Sequence, residues 1–88
     1  MGKDKDRYNV LILKALANLN RLKILKLLNT HELNVGQLEK MLNLSQSALS
    51  QHLAILRKNN IVKTRRVAQT IFYKIDNDFI RQILKILE

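Results

Sequence analysis

Between Ser45 and Asn59 the uncharged polar side chains other than His52 are short or amide-bearing, and Arg57 and Lys58 make every charge positive. That combination suits contact with the edges and backbone of a polyanion better than it suits breaking a bond. On a wheel of about 100° per residue, Ser47, Ser50, Gln51 and Ala54 fall on one side, flanked by Gln46, Arg57 and Lys58. Ala48, Leu49, Leu53, Ile55 and Leu56 fall on the other. Short hydroxyls and amides enter the major groove of a duplex without steric block, and glutamine can pair with adenine through two hydrogen bonds. Ser45 is placed to cap this helix, whose free N–H groups would favour a phosphate. Any solvated helix face is polar, so the face alone leaves open whether it meets nucleic acid.

The residues that follow bear on that question. From Ala54 to Ile75 the chain carries Arg57, Lys58, Lys63, Arg65, Arg66 and Lys74 and no acid. Arg65 and Arg66 stand beside a gap of three residues, Val67, Ala68 and Gln69, between two β-branched and aromatic runs. A hairpin tip there would carry both arginines, with Gln69, to a phosphate backbone or into a minor groove. The same charges on an edge ribbon would also deter edge-to-edge aggregation. His52 falls between Leu49, Leu56 and Ala48 on the wheel, pointing toward the core, which makes it a buried, hydrogen-bonded structural histidine. His31 sits in a loop and faces solvent. Asp76, Asn77 and Asp78 supply a cap and favourable charge to the helix after them rather than metal ligands. With no nucleophile beside a base, no glycine-rich phosphate loop and no ligand cluster, the expectation is no enzyme, no metal and no cofactor.

Composition points the same way. Sixteen lysines and arginines against seven acids give a net charge of +9 over 88 residues, a field that favours nucleic acid first and an anionic membrane surface second. A chain this short buries only about 60–65% of its unfolded surface, so its core is thin and help from a second subunit is expected. The absence of cysteine rules out disulfides, thiolate metal sites and thiol redox switching. The apolar run Val10–Leu13 is broken by Lys14, too early for a signal peptide or a membrane span. A single domain over residues 1–88, cytoplasmic and nucleoid-associated, is the expected organisation.

The elements that must position these residues follow from periodicity. A first helix from about Lys5 to Ala17 carries Tyr8, Leu11, Ile12, Ala15 and Leu16 on one side and Val10, Leu13 and Ala17 on the opposite side. One of the two stripes then faces another subunit. A second helix, capped by Asn18 or Asn20, ends near Leu28. Asn34 and Gln37 form a capping-box pair that opens a third, with Val35, Leu38 and Leu42 inward and an end near Asn43. About three residues separate it from the Ser45 helix, the spacing of a helix-turn-helix. Strands Ile61–Arg66 and Thr70–Ile75 follow. A last helix, Asp78–Leu87, is apolar over a broad face of Phe79, Ile80, Ile83, Leu84 and Leu87, which together with Val10, Leu13 and Ala17 makes the expected dimer interface.

At ALANLNRLKILKLL (Ala15–Leu28), ELNVGQLEKMLNLSQSALSQHLAILRKNNIV (Glu32–Val62) and TRRVAQTIFYKI (Thr64–Ile75) the chain resembles the ArsR/SmtB family of bacterial repressors, and most of all its HlyU/BigR/NolR-like subgroup. The resemblance covers most of the sequence. It implies a mainly α, winged helix-turn-helix fold in the order α-α-α-α-β-β-α with a two-stranded wing, dimeric through the first and last helices, which represses promoters from imperfect inverted repeats in double-stranded DNA. The family's sensing sites are not matched. Its metal sensors carry cysteines in the segment corresponding to Glu32–Leu38, where Asn34 and Gly36 stand here. Ligands on the last helix would fall at or beyond Glu88, and the cysteine pair of persulfide sensors has no counterpart. A non-specific architectural nucleic-acid binder and a protein-binding winged helix acting as an anti-repressor are the competing readings. The unbroken Ser/Gln face favours a sequence-specific regulator.

Overall fold

Asn18, Asn34 and Ser45 cap the starts of the second, third and fourth helices in the computed structural model, which describes the backbone of residues 2–88 and side chains from Asp4 onward. Helix α1 (Gly2–Leu16) stops at Ala17, and α2 (Leu19–Leu28) starts because Asn18 Oδ1 accepts the Arg21 N–H at 3.1 Å. Asn34 forms the expected capping box of α3 (Val35–Leu42), accepting from Gln37 N at 2.9 Å while Gln37 Oε1 accepts from Asn34 N at 2.8 Å. Ser45 Oγ accepts from Ala48 N at 3.1 Å and opens α4 (Gln46–Lys58). At its far end Asn60, with φ 58°, reverses the chain, and Ile61 N bonds Leu56 O at 3.0 Å while Asn60 N bonds Arg57 O at 3.0 Å. This is a Schellman closure, in which the residue beyond the left-handed position packs back on the helix; Ile61 is fully buried.

The sheet is antiparallel and small. Strands β2 (Val62–Val67) and β3 (Thr70–Ile75) pair from Val62↔Ile75 to Val67↔Thr70. A short strand β1 (Leu33–Asn34) adds to the other edge of β3, with Leu33 opposite Tyr73 and Asn34 opposite Phe72, giving the order β1-β3-β2. Helix α5 (Asp78–Ile86) closes the chain. Packing rests on apolar side chains from every helix and strand, among them Ile12, Ile24, Leu38, Leu49, Leu53 and Ile80, each at most 1% exposed.

Four expectations change. Strand β1 makes the sheet three-stranded; two residues are too few for a periodic signal, and their pairing is dictated by the free edge of β3. The hairpin turn has two residues, Ala68 and Gln69, with Val67 in the strand and Ala68 at φ 55°. Ile55, expected inward, is 39% exposed, because it sits at the border of the apolar arc nearest Gln51. Of the five residues assigned to the inner stripe of α1, Ile12, Ala15 and Leu16 are buried while Tyr8 and Leu11 are 43% and 52% exposed. The rest of the fold does not reach the N-terminal half of that helix far enough to cover them.

Asn34 serves both the β1 edge and the α3 cap, and only the cap uses its side chain. Asn34→Ala is therefore expected to cost about 0.5–2 kcal/mol, read as a lower urea midpoint with an unchanged slope. An unaltered midpoint would mean that the capping box does not hold α3.

Candidate nucleic-acid interface

The turn between α3 and α4 is Asn43, Leu44 and Ser45. Asn43 takes the left-handed conformation, φ 54° and ψ 44°, and its N–H bonds Glu39 O at 2.9 Å. Asparagine tolerates this region better than other side chains with a Cβ, so the helix-turn-helix is closed without glycine. On α4 the inward residues Leu49, Leu53 and Leu56 are at most 1% exposed. Ser45, Gln46, Ser47, Ser50, Gln51, Ala54, Arg57 and Lys58 are all exposed. Among the described residues, none of the side chains of Gln46, Ser47, Ser50, Gln51, Arg57 and Lys58 is held in an internal hydrogen bond or ion pair. A helix so firmly seated on one side presents the other as a rigid, uncommitted row of donors and acceptors.

The wing is less uniform than its charges suggest. Side chains alternate between the faces of a strand, so Lys63 and Arg65 lie on one face and Thr64 and Arg66 on the other. Arg65 Nε donates to Glu32 Oε1 at 2.8 Å, and its guanidinium carbon lies 5.6 Å from the centre of the Phe72 ring. Lys63 Nζ lies 2.7 Å from Asp76 Oδ2. Arg66 Nε donates to Ala68 O across the tip at 3.1 Å, which orients the guanidinium without neutralising it. Arg65 and Arg66 are thus unequal: the first already has a carboxylate, the second does not. Gln69 is exposed in the turn beside Arg66.

A shallow groove of about 390 Å³ joins helix and wing, lined by Ser50, Leu53, Ala54, Arg57, Lys58 and Tyr73. Tyr73 shares its ribbon face with Arg66, two residue pairs further along. The face carrying Arg66 is therefore the one turned toward the exposed row of α4, and Arg65 is on the reverse. Tyr73 is absent from the expected interface, although its alternation with Ile71 and Ile75 would have placed it on this face.

The remaining titratable groups have structural roles. Asp76 is not a cap: the hydrogen bond from Lys63, aided by the charges of Lys63, Lys74 and Arg81, holds its carboxyl below the usual value. Asn77 caps α5, accepting from Ile80 N at 3.1 Å, and Asp78 supplies charge in the first turn. His52, expected to be buried, is only half-buried, because it lies at the edge of the apolar arc of α4, with Nδ1 3.4 Å from Arg21 Nη1. His31 is exposed beside Thr30, its Nδ1 3.0 Å from Oγ1. The described residues contain no group of three or more His, Cys, Asp or Glu side chains placed to hold a metal, and no helix of theirs is long and apolar enough to cross a membrane.

Of the expected interface residues, Val10, Leu13, Phe79 and Leu87 are 48%, 54%, 39% and 50% exposed, Ala17 is exposed and Ile83 is half-buried. Ile80 and Leu84 are 0% and 3% exposed within the single chain, so they face its own core and offer a partner nothing. A strongly amphipathic helix must use one side of its apolar face for its own core. Leu11 and Ile86, the latter 81% exposed, belong to the uncovered surface and were not anticipated.

Comparison with known proteins bears on the same residues. The family model for bacterial regulatory proteins of the arsR family matches residues 18–64, from the α2 cap to the start of the wing. The transcriptional activator HlyU of Vibrio cholerae is 50% identical over 89% of this chain and 72% of its own length, and its structure superposes with a TM-score of 0.90 over 94% of this chain and 90% of that one. The nodulation protein NolR of Rhizobium meliloti is 53% identical over 82% of this chain, which spans only 59% of that protein. The transcriptional repressor PagR of Bacillus anthracis is 36% identical in structural superposition, with a TM-score of 0.90 covering 98% of this chain and 99% of that one. HlyU and PagR are named as transcriptional regulators rather than enzymes, and the chain, a winged helix-turn-helix protein, belongs to the ArsR family of bacterial regulatory proteins.

Proposed function

We propose that this chain is a sequence-specific transcriptional regulator that binds double-stranded DNA as a homodimer, represses by occupying an imperfect inverted repeat, and works at the nucleoid in the cytoplasm. The observation that carries the reading is the uncommitted row Ser47, Ser50, Gln51 and Ala54 on a helix whose opposite side is fully packed. In a major groove this row meets base edges, while Arg57, Lys58 and Arg66 meet phosphates. The names of the relatives include an activator and a repressor. Repression is preferred because occupying a promoter needs only the surface described above.

The dimer rests on the uncovered apolar surface of α1 and α5. Tyr8 Oη accepts a hydrogen bond from Asn77 Nδ2 at 3.0 Å, which ties the two helices together, and a groove of about 380 Å³ lined by Asp6, Arg7, Val10 and Leu11 lies on α1. A two-fold pair would place two copies of α4 about one helical turn of DNA apart, roughly 10–10.5 base pairs, or a multiple of that. Sedimentation at micromolar concentration without DNA is expected to give a dimer, and Leu13→Glu a monomer with weakened duplex binding. A wild-type monomer would remove the dimer from the proposal.

Reading and gripping should separate by mutation. Gln51→Ala is expected to cost about 1–3 kcal/mol on the best duplex selected from random sequence and much less on random DNA. Arg66→Ala should weaken both alike and lower the salt slope by about one. Arg65→Ala should do less than Arg66→Ala, since Arg65 is spent on Glu32. Titrations at several salt concentrations test this, and equal losses on both DNAs for Gln51→Ala would leave the architectural reading standing.

A further inference from the structure

Arg21 stands where three helices meet. It lies in the first turn of α2, and its guanidinium reaches in two directions. Nε donates to Ala15 O at 2.7 Å and Nη2 to Lys14 O at 3.3 Å, both among the last carbonyls of α1 that lack a partner within the helix. Nη1 approaches Nδ1 of His52, on α4, at 3.4 Å. Helix α1 carries the apolar surface assigned to the dimer, and α4 carries the row assigned to DNA. Among the described residues no other side-chain hydrogen bond connects α4 to α1 or α2.

We propose that Arg21 is a positioning residue that sets the DNA-reading helix against α1, and that its hold on α4 requires an uncharged His52. A guanidinium only donates and never loses its charge. His52 must therefore present a lone pair at Nδ1 and carry its proton on Nε2. A second proton turns Nδ1 into a donor and leaves two cations 3.4 Å apart. Burial and, after it, the Arg21 charge hold the His52 titration below the ordinary 6.5, so the ring is neutral at neutral pH. The charged residues on α4 and on the elements that meet it are Arg57 and Lys58 on α4 itself, Arg21, Lys23 and Lys26 on α2, Glu39 and Lys40 on α3, Lys63, Arg65 and Arg66 on β2, and Lys74 on β3. Of these, Arg21 alone acts on the His52 titration. The sign follows: with a folded-state value below 6.5, the contact is intact above that pH and is lost as the pH falls through the lowered value. General electrostatics runs the other way, because acid adds positive charge and tightens binding to a polyanion.

The proposal rests on the DNA-binding reading, so its test has two arms. In the first, a duplex selected from random sequence at neutral pH is titrated from about pH 7.5 to about pH 5.5. The wild type is expected to lose affinity severalfold, less than the roughly tenfold that a ring titrating at the ordinary 6.5 would give over this range, and His31→Gln to lose as much. His52→Gln, whose amide oxygen can accept without titrating, should stay within about twofold of its neutral-pH affinity. Arg21→Gln should be weak at both ends with a flat profile, and Arg21→Lys should not restore it, since one ammonium cannot reproduce the forked donor. A wild type that binds equally or more tightly in acid, or a His52→Gln variant that falls as the wild type does, overturns the proposal. In the second arm, NMR of DNA-free protein follows the His52 ring nitrogens and the Ala15 and Leu16 amides through the same range. Those amides should titrate with His52 in the wild type and not in His52→Gln; amides indifferent to His52 overturn the link even where DNA binding stands. If no duplex is enriched at all, the DNA-binding reading fails while this arm still decides the contact.

Discussion

Everything in this molecule depends on an interior that is purely apolar. Sixteen buried side chains form it, and among the described residues no polar or charged one is buried with them. Apolar burial is strong but non-directional, and cores of suitable volume tolerate many arrangements. Direction must come from elsewhere, and here it comes from the ends of the elements. Asn18, Asn34, Ser45 and Asn77 each accept a backbone N–H three residues on, each worth about 1 kcal/mol. Together they determine where helices begin, and so which residues of α4 face inward and which face out.

This division explains what could be foreseen. Caps and helix periods are local, so the starts of α2, α3 and α4, the hairpin, and the outward row Ser47, Ser50, Gln51 and Ala54 were legible in the residues themselves. Non-local partners were not. Strand β1 exists because β3 has an edge for it. Arg65 differs from Arg66 because Glu32, far away in sequence, reaches it from the other end of that strand pairing. Ile80 and Leu84 sit inward because α5 turns its apolar side to its own chain. Arg65, Ile80 and Leu84 were identified correctly as cationic or apolar, and their partners were supplied by tertiary geometry.

The charges follow a similar economy. A net charge of +9 gives a broad attractive field, but affinity for a particular backbone geometry depends on where cations are held. Glu32 and Asp76 anchor Arg65 and Lys63 at the sides of the wing, both at partly exposed positions where such pairs contribute little to stability. Their larger effect is on shape: the ribbon keeps its register against the body, and the uncompensated cations are left at its tip and along α4.

The two-residue turn at that tip has a consequence in time as well as in space. Ala68 occupies the left-handed region, φ 55°, at a steric cost of about 1 kcal/mol or more for a residue with a Cβ, where glycine would sit without strain but with many more accessible conformations. The methyl group narrows the excursions of the tip on the nanosecond scale of loop motion. Arg66 is thereby carried on a stiff ribbon, whose tip has little conformational freedom left to lose.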